Sequence, residues 1–130
     1  MVIFLKLKFS TIFARFFISM INTLNFLNFE QAISTGWILV DYWAPWCAPC
    51  LTQLPILEQL AIEVQGEITV AKVDINDNKL IAQKQGIKNI PSLVLYFNGT
   101  EIQRFAGIHS KEIMLNSILK TKKTYDFTSN

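Results

Sequence analysis

The run Trp37-Ile38-Leu39-Val40-Asp41-Tyr42-Trp43 constrains this chain most, because apolar residues occupy both faces of any extended strand it forms. A strand that is apolar on both sides has to be covered on both sides, which predicts a central strand between two helical layers. Directly after it, Trp46-Cys47-Ala48-Pro49-Cys50 holds the only two cysteines of the chain. Two thiols three positions apart at the start of a helix point the same way and can close a small disulfide ring. A chain with no further cysteine cannot use them in a disulfide framework, so a pair that opens and closes by dithiol–disulfide exchange is the favoured reading.

The length of 130 residues suits one domain with a short extension, and 51% hydrophobic against 17% charged residues argues against disorder. A net charge of +2, with no basic stripe interleaved with aromatics, gives no ground for a nucleic-acid partner. The charge is unevenly placed. Lys6, Lys8 and Arg15 precede the first acid, Glu30, so the remainder is slightly acidic.

Residues 1–19 differ in character from the rest of the chain. On a helix, Lys8, Thr11, Arg15, Ser19 and Asn22 form one narrow polar stripe against Phe, Ile and Leu. Such a cationic, acid-free helix suits an organellar presequence or a membrane-surface anchor; Arg15 fits poorly inside a secretory signal or a membrane span. Equally, Met20 is an internal methionine, and a start there would leave residues 1–19 outside the working protein. The expected division is therefore 1–19 as an extension, 20–122 as the domain and 123–130 as a polar tail.

Along the domain, a short helix is expected at Phe29 to Ser34, ended by Gly36, before the central strand. Residues 48–64 read as a helix whose apolar stripe is Leu54, Leu57, Ala61 and Val64, broadened by Ile56 and Leu60, with Pro49 harmless in its first turn and Pro55 a kink inside it. Ile68 to Asp74 is the next strand, followed by a helix from Asn78 to Gln85 that stops at Gly86. Ser92 to Phe97 and Glu101 to Ala106 form a hairpin about Asn98-Gly99. A last helix runs from Ser110, its N-cap, through Leu119, and Thr121 to Asn130 is expected to fray. The order βαβαββα gives an α/β fold with a central mixed sheet flanked by helices on both faces.

Chemistry depends on these placements. Cys47 falls at the helix N-terminus, where unpaired N–H groups and the helix dipole lower a thiol pKa; Cys50, one turn inside, is more buried. A half zinc site is a poor alternative, since zinc takes about four ligands and the chain adds only the remote His109, an ordinary surface residue on this reading. Two inert core cysteines would need neither the spacing nor the proline. No metal or other cofactor is called for. Asp41 is buried whichever strand face looks inward, and a buried carboxylate with a raised pKa can take the proton that Cys50 must lose; the alternative is a frayed strand end accepting backbone hydrogen bonds. Lys72 either reaches Asp41 and tunes it or snorkels at the sheet margin. Trp46 is expected to be exposed as part of a docking surface and Trp43 to be core. A cis bond before Pro91 cannot be read from Ile-Pro alone.

Asp41 to Cys50, together with Val70-Ala71-Lys72-Val73-Asp74, Ile90-Pro91-Ser92 and Asn98-Gly99 in that order, resembles the thioredoxin family over about residues 24 to 120. The resemblance implies the thioredoxin fold and a protein-disulfide reductase. It implies Cys47 as attacking thiol, Cys50 as resolving thiol, a redox disulfide between them, Asp41 as proton acceptor and Lys72 as its neighbour. It further implies that Pro91 is a cis-proline facing the disulfide, that the Ile90 backbone pairs with an extended substrate, and that Gly107 keeps open a groove bordered by Trp46, Ala48 and Pro49. Implied partners are protein disulfides and a flavin- or ferredoxin-linked thioredoxin reductase, with the protein a cytoplasmic monomer touching membrane only through residues 1–19. An organellar or membrane-associated location is implied if that segment is a real targeting signal. The chain departs from the family in Ala48 for the usual glycine, Leu51 for a common basic residue and Ser92 for threonine. Rival readings are a tethered or exported thiol exchanger with a narrow client, and a binding subunit in which thiol turnover is incidental.

Overall fold

A computed structural model describes residues 20–128. The extension expected at residues 1–19 lies outside the described residues, as do the last two of the tail.

The central strand is where its sequence demands. Strand β2 (Trp37–Trp43) lies in a five-stranded sheet with β1 (Ile21–Leu24), β3 (Thr69–Asp74), β4 (Ser92–Phe97) and β5 (Thr100–Ala106), in the order β1-β3-β2-β4-β5. The β1–β3 and β2–β3 pairs are parallel, while β2–β4 and β4–β5 are antiparallel. Among the described residues four helices cover the sheet: α1 (Phe29–Ile33), α2 (Ala48–Glu63), α3 (Lys79–Lys84) and α4 (Lys111–Thr128).

Alternation along β2 divides the core into two layers. Trp37 and Leu39 join Leu57, Leu60, Ala61 and Val64 of the α2 segment and Met114 and Ile118 of α4. Ile38, Val40 and Tyr42 join Phe29 and Ile33 of α1 and Ile81 of α3. By the same alternation Asp41 belongs to the face that α2 covers. The β4–β5 turn has Asn98 at φ 49° and Gly99 at φ 85°, the pair of left-handed residues that matches hairpin twist.

Three local expectations need correction. Asn22, the end of the supposed helical stripe, lies in strand β1, whose Ile21 and Leu24 align with Val70 and Val73 of β3. Four residues with two exposed polar side chains carry no periodic signal, and the pairing with β3 supplies what the local pattern lacks. At the other end, α4 continues past Leu119 to Thr128 instead of fraying from Thr121. Its Tyr125 packs edge-on against Trp37 and Phe97, with ring centroids 5.5 and 5.2 Å apart, so the last turns are tied to the sheet. The α2 stripe also includes a polar residue, Gln53, fully buried, while Leu54 and Ile56 are only half-buried.

Candidate active site: the Cys47–Cys50 disulfide

Strand β2 ends at Trp43 and the chain turns through Ala44 to Trp46 into α2. Cys47 is the N-cap residue, extended at φ −93° and ψ 104°, and its Sγ accepts the Cys50 backbone N–H at 3.3 Å. That is one of the amide groups a helix leaves unpaired at its start, here satisfied by sulfur. Pro49 sits in the first turn, where a missing N–H costs nothing, and the helix continues through Pro55 to Glu63. Cys47 and Cys50 form a disulfide with Cα atoms 5.2 Å apart. In this oxidised state Cys47 is 5% and Cys50 1% exposed, so the expected asymmetry is present but narrow.

Opposite the disulfide stands the loop before β4. The Ile90–Pro91 peptide bond is cis, and the Ile90 carbonyl oxygen lies 3.9 Å from Cys47 Sγ. Ser92 Oγ donates to the Asn89 carbonyl at 2.6 Å, and Gly107 N–H donates to the Pro91 carbonyl at 2.9 Å, holding this loop and the end of β5 together. Gly107 has φ +83°, a conformation side-chain-bearing residues rarely adopt, and nothing lies within 4 Å of where a Cβ would stand. Ala48 and Pro49 are exposed, and Trp46 is 67% exposed. The structure therefore brings Cys47, Cys50, Ile90, Pro91 and Gly107 together at one rim with Trp46, Ala48 and Pro49 on its surface.

Asp41 is fully buried, and neither carboxylate oxygen accepts a hydrogen bond. Burial pushes its pKa up to about 7, an effect partly opposed by the Lys72 ammonium. Lys72 is its register partner in β3, half-buried, with Nζ 5.1 Å from the centroid of the Trp43 ring. The Lys72 head group rests over an aromatic face at the sheet margin, and its charge opposes the rise at Asp41. Trp43 is half-buried and packs beside Ala44 and the two cysteines.

Two residues at the site escaped sequence reasoning. Asn76 Oδ1 accepts the Trp46 indole N–H at 3.0 Å and so orients the exposed ring, and Asp74 accepts the Asn76 N–H at 2.8 Å; nothing local marks this pair. Gln53 holds the loop after β5 through both ends of its amide: Nε2 donates to the His109 carbonyl at 3.1 Å, and Oε1 accepts the His109 N–H at 2.8 Å. A polar residue on an apolar helical stripe, one turn after Cys50, is the signal that could have found it. His109 is correspondingly not a plain surface residue. It is half-buried, its Nδ1 lies 3.0 Å from the Gly107 carbonyl, and its ring meets Phe105 edge-on.

A disulfide at a helix N-terminus, facing a cis-proline loop on a mixed sheet with helices on both faces, defines a dithiol–disulfide exchange protein. The Thioredoxin family profile matches residues 20–120. The thioredoxin of Chlamydia pneumoniae is 38% identical over 101 residues, covering 78% of this chain and 98% of that protein. The thioredoxin of Chlamydia caviae is 35% identical over 99 residues, 76% of this chain and 96% of that protein. The chain belongs to the thioredoxin family. It has the thioredoxin fold and is a thiol–disulfide oxidoreductase of the protein-disulfide reductase type, working with disulfide substrates and a reductase.

Proposed function

We propose that Cys47 is the nucleophile and Cys50 the resolving thiol in reduction of protein disulfides. The Cys47 thiolate attacks one sulfur of a substrate disulfide; the new S–S bond forms as the old one breaks, and the departing substrate thiolate takes a proton. Cys50 then gives its proton to Asp41 and attacks Cys47 Sγ. The second substrate thiolate leaves and takes the proton that Asp41 received, and the chain is left with the Cys47–Cys50 disulfide. The substrate has gained two electrons and two protons, which a thioredoxin reductase returns to the chain. The observation that carries this reading is the Cys47 sulfur acting as N-cap, because the position that accepts an amide N–H is the one where a thiolate is stabilised.

Asp41 serves as proton acceptor because its pKa of about 7 is matched to proton transfer at neutral pH, and Lys72 keeps it from rising further. Trp46, Ala48, Pro49, Ile90, Pro91 and Gly107 bind the substrate, which lies extended along the cis-proline loop. The protein works as a cytoplasmic monomer, since a dithiol that must stay reduced needs a reducing compartment. The reductase is flavin- or ferredoxin-linked.

The test is insulin reduction driven by dithiothreitol. The parent protein accelerates it, and Cys47→Ser with Cys50→Ser reduces the rate to that of dithiothreitol alone. A double variant that keeps the parent rate removes the catalytic assignment. Cell fractionation tests location: recovery of the full-length chain in membranes would replace the cytoplasmic reading with the tethered one that the cationic residues 1–19 favour.

A further inference from the structure

We propose that Gln53 is a positioning residue for substrate docking: from inside α2 it clamps the Gly107–His109 segment that walls the groove beside the disulfide. Gln53 is 0% exposed. A buried amide is tolerated only with its donors and acceptor engaged, so its partners define its place in the fold. Those partners are the N–H and C=O of the single residue His109, at 2.8 and 3.1 Å. Two bonds from one rigid amide to one residue fix that stretch of backbone in rotation as well as in distance.

The constraint runs on toward the reacting sulfurs. Nδ1 of His109, carrying the ring proton, donates to the Gly107 carbonyl at 3.0 Å, and the Gly107 N–H donates to the Pro91 carbonyl at 2.9 Å. The Ile90 carbonyl then stands 3.9 Å from Cys47 Sγ. Helix α2 thus holds the nucleophile at its first turn and, through Gln53 one turn further along, the far wall of the groove. Docking an extended chain against a backbone edge depends on the position of that edge, and a small misplacement weakens binding before it alters thiol chemistry. An apolar residue at position 53 would fill similar space and leave the His109 N–H and C=O without partners. The inference rests on the assignment of this groove to substrate binding.

The experiment mixes pre-reduced protein with excess insulin in single-turnover stopped flow, and in parallel with the small reagent 5,5′-dithiobis(2-nitrobenzoate). Gln53→Leu is expected to raise the half-saturating insulin concentration about fivefold, with the maximal rate and the small-disulfide rate within about twofold of the parent. An unchanged half-saturation, or equal losses with both disulfides, overturns the proposal. Trp46→Ala separates the clamp from the groove. If it raises half-saturation and Gln53→Leu does not, only the clamp fails; if neither does, the groove assignment fails with it. Should Gln53→Leu not fold, Gln53→Glu replaces it. The neutral acid can donate to the His109 carbonyl and the carboxylate cannot, so its half-saturation relative to the parent is expected to rise about fivefold from pH 6 to 8.5. A flat ratio overturns the proposal.

Discussion

Lys72 stands opposite Asp41 across the parallel β2–β3 pair, yet its ammonium rests over the Trp43 ring and the carboxylate accepts no hydrogen bond. Asp41 therefore feels Lys72 as a field and not as a salt bridge. Desolvation prevails, and the carboxyl titrates near neutrality.

That arrangement fixes the sign of a stability change with pH. The unfolded chain loses the Asp41 proton near the ordinary value of 3.8, whereas the folded chain keeps it to about 7. Between those values the native state binds more protons, so stability is full below about 4 and falls as pH rises to about 7, by up to about 4 kcal/mol. Asp41→Asn is expected to flatten this dependence and to be the more stable protein at pH 8. Urea unfolding of both proteins at pH 5 and pH 8 measures it; an equal pH dependence in the two would contradict the assignment.

Lys72→Met removes the charge that opposes desolvation, so the Asp41 pKa should climb further above 7 and less carboxylate should be present at neutral pH. Disulfide exchange at pH 7 is expected to slow severalfold and to recover toward the parent rate by pH 9. The pH–rate profile is the check, and a Lys72→Met curve that overlays the parent would show that the ammonium does not tune the acid.

The two cysteines should behave differently when each is left alone. Cys50→Ser is expected to hold insulin chains as mixed disulfides on Cys47, because the thiol that would release them is gone. Cys47→Ser should trap at least about tenfold less, since Cys50 lies inside the helix beyond its capping position. Intact-mass spectrometry after a short incubation counts the adducts. Equal trapping would reverse or abolish the proposed roles.

Tyr125 tests the extended C-terminal helix. Its ring meets both Trp37 and Phe97, themselves stacked at 4.5 Å. Tyr125→Ala is expected to destabilise the protein by about 2 kcal/mol, from lost burial and lost aromatic contacts. Thermal unfolding reads the loss, while the small-disulfide rate should not change. An unaltered Tm would mean that the last turns of α4 contribute nothing to the fold.

Much of this molecule is legible in local pattern. Trp37–Trp43 could only be a covered central strand, since its apolar residues leave neither face to water. The same run made burial of Asp41 unavoidable, and Asn98-Gly99 specified its hairpin through the left-handed conformations those residues accept. Cysteine spacing and the proline between them announced the disulfide and the helix start.

Partners across long separations were not legible. Strand β1 exists because β3 gives it a ladder, and α4 extends to Thr128 with Tyr125 packed on two rings of the sheet. The contacts of Trp46 with Asn76 and of Gln53 with His109 span 30 and 56 positions. Periodicity tells a side chain which way it faces, because that depends only on the local backbone. What it faces is decided when distant elements pack, and there the tertiary structure alone joined a buried glutamine to a loop histidine 56 positions away.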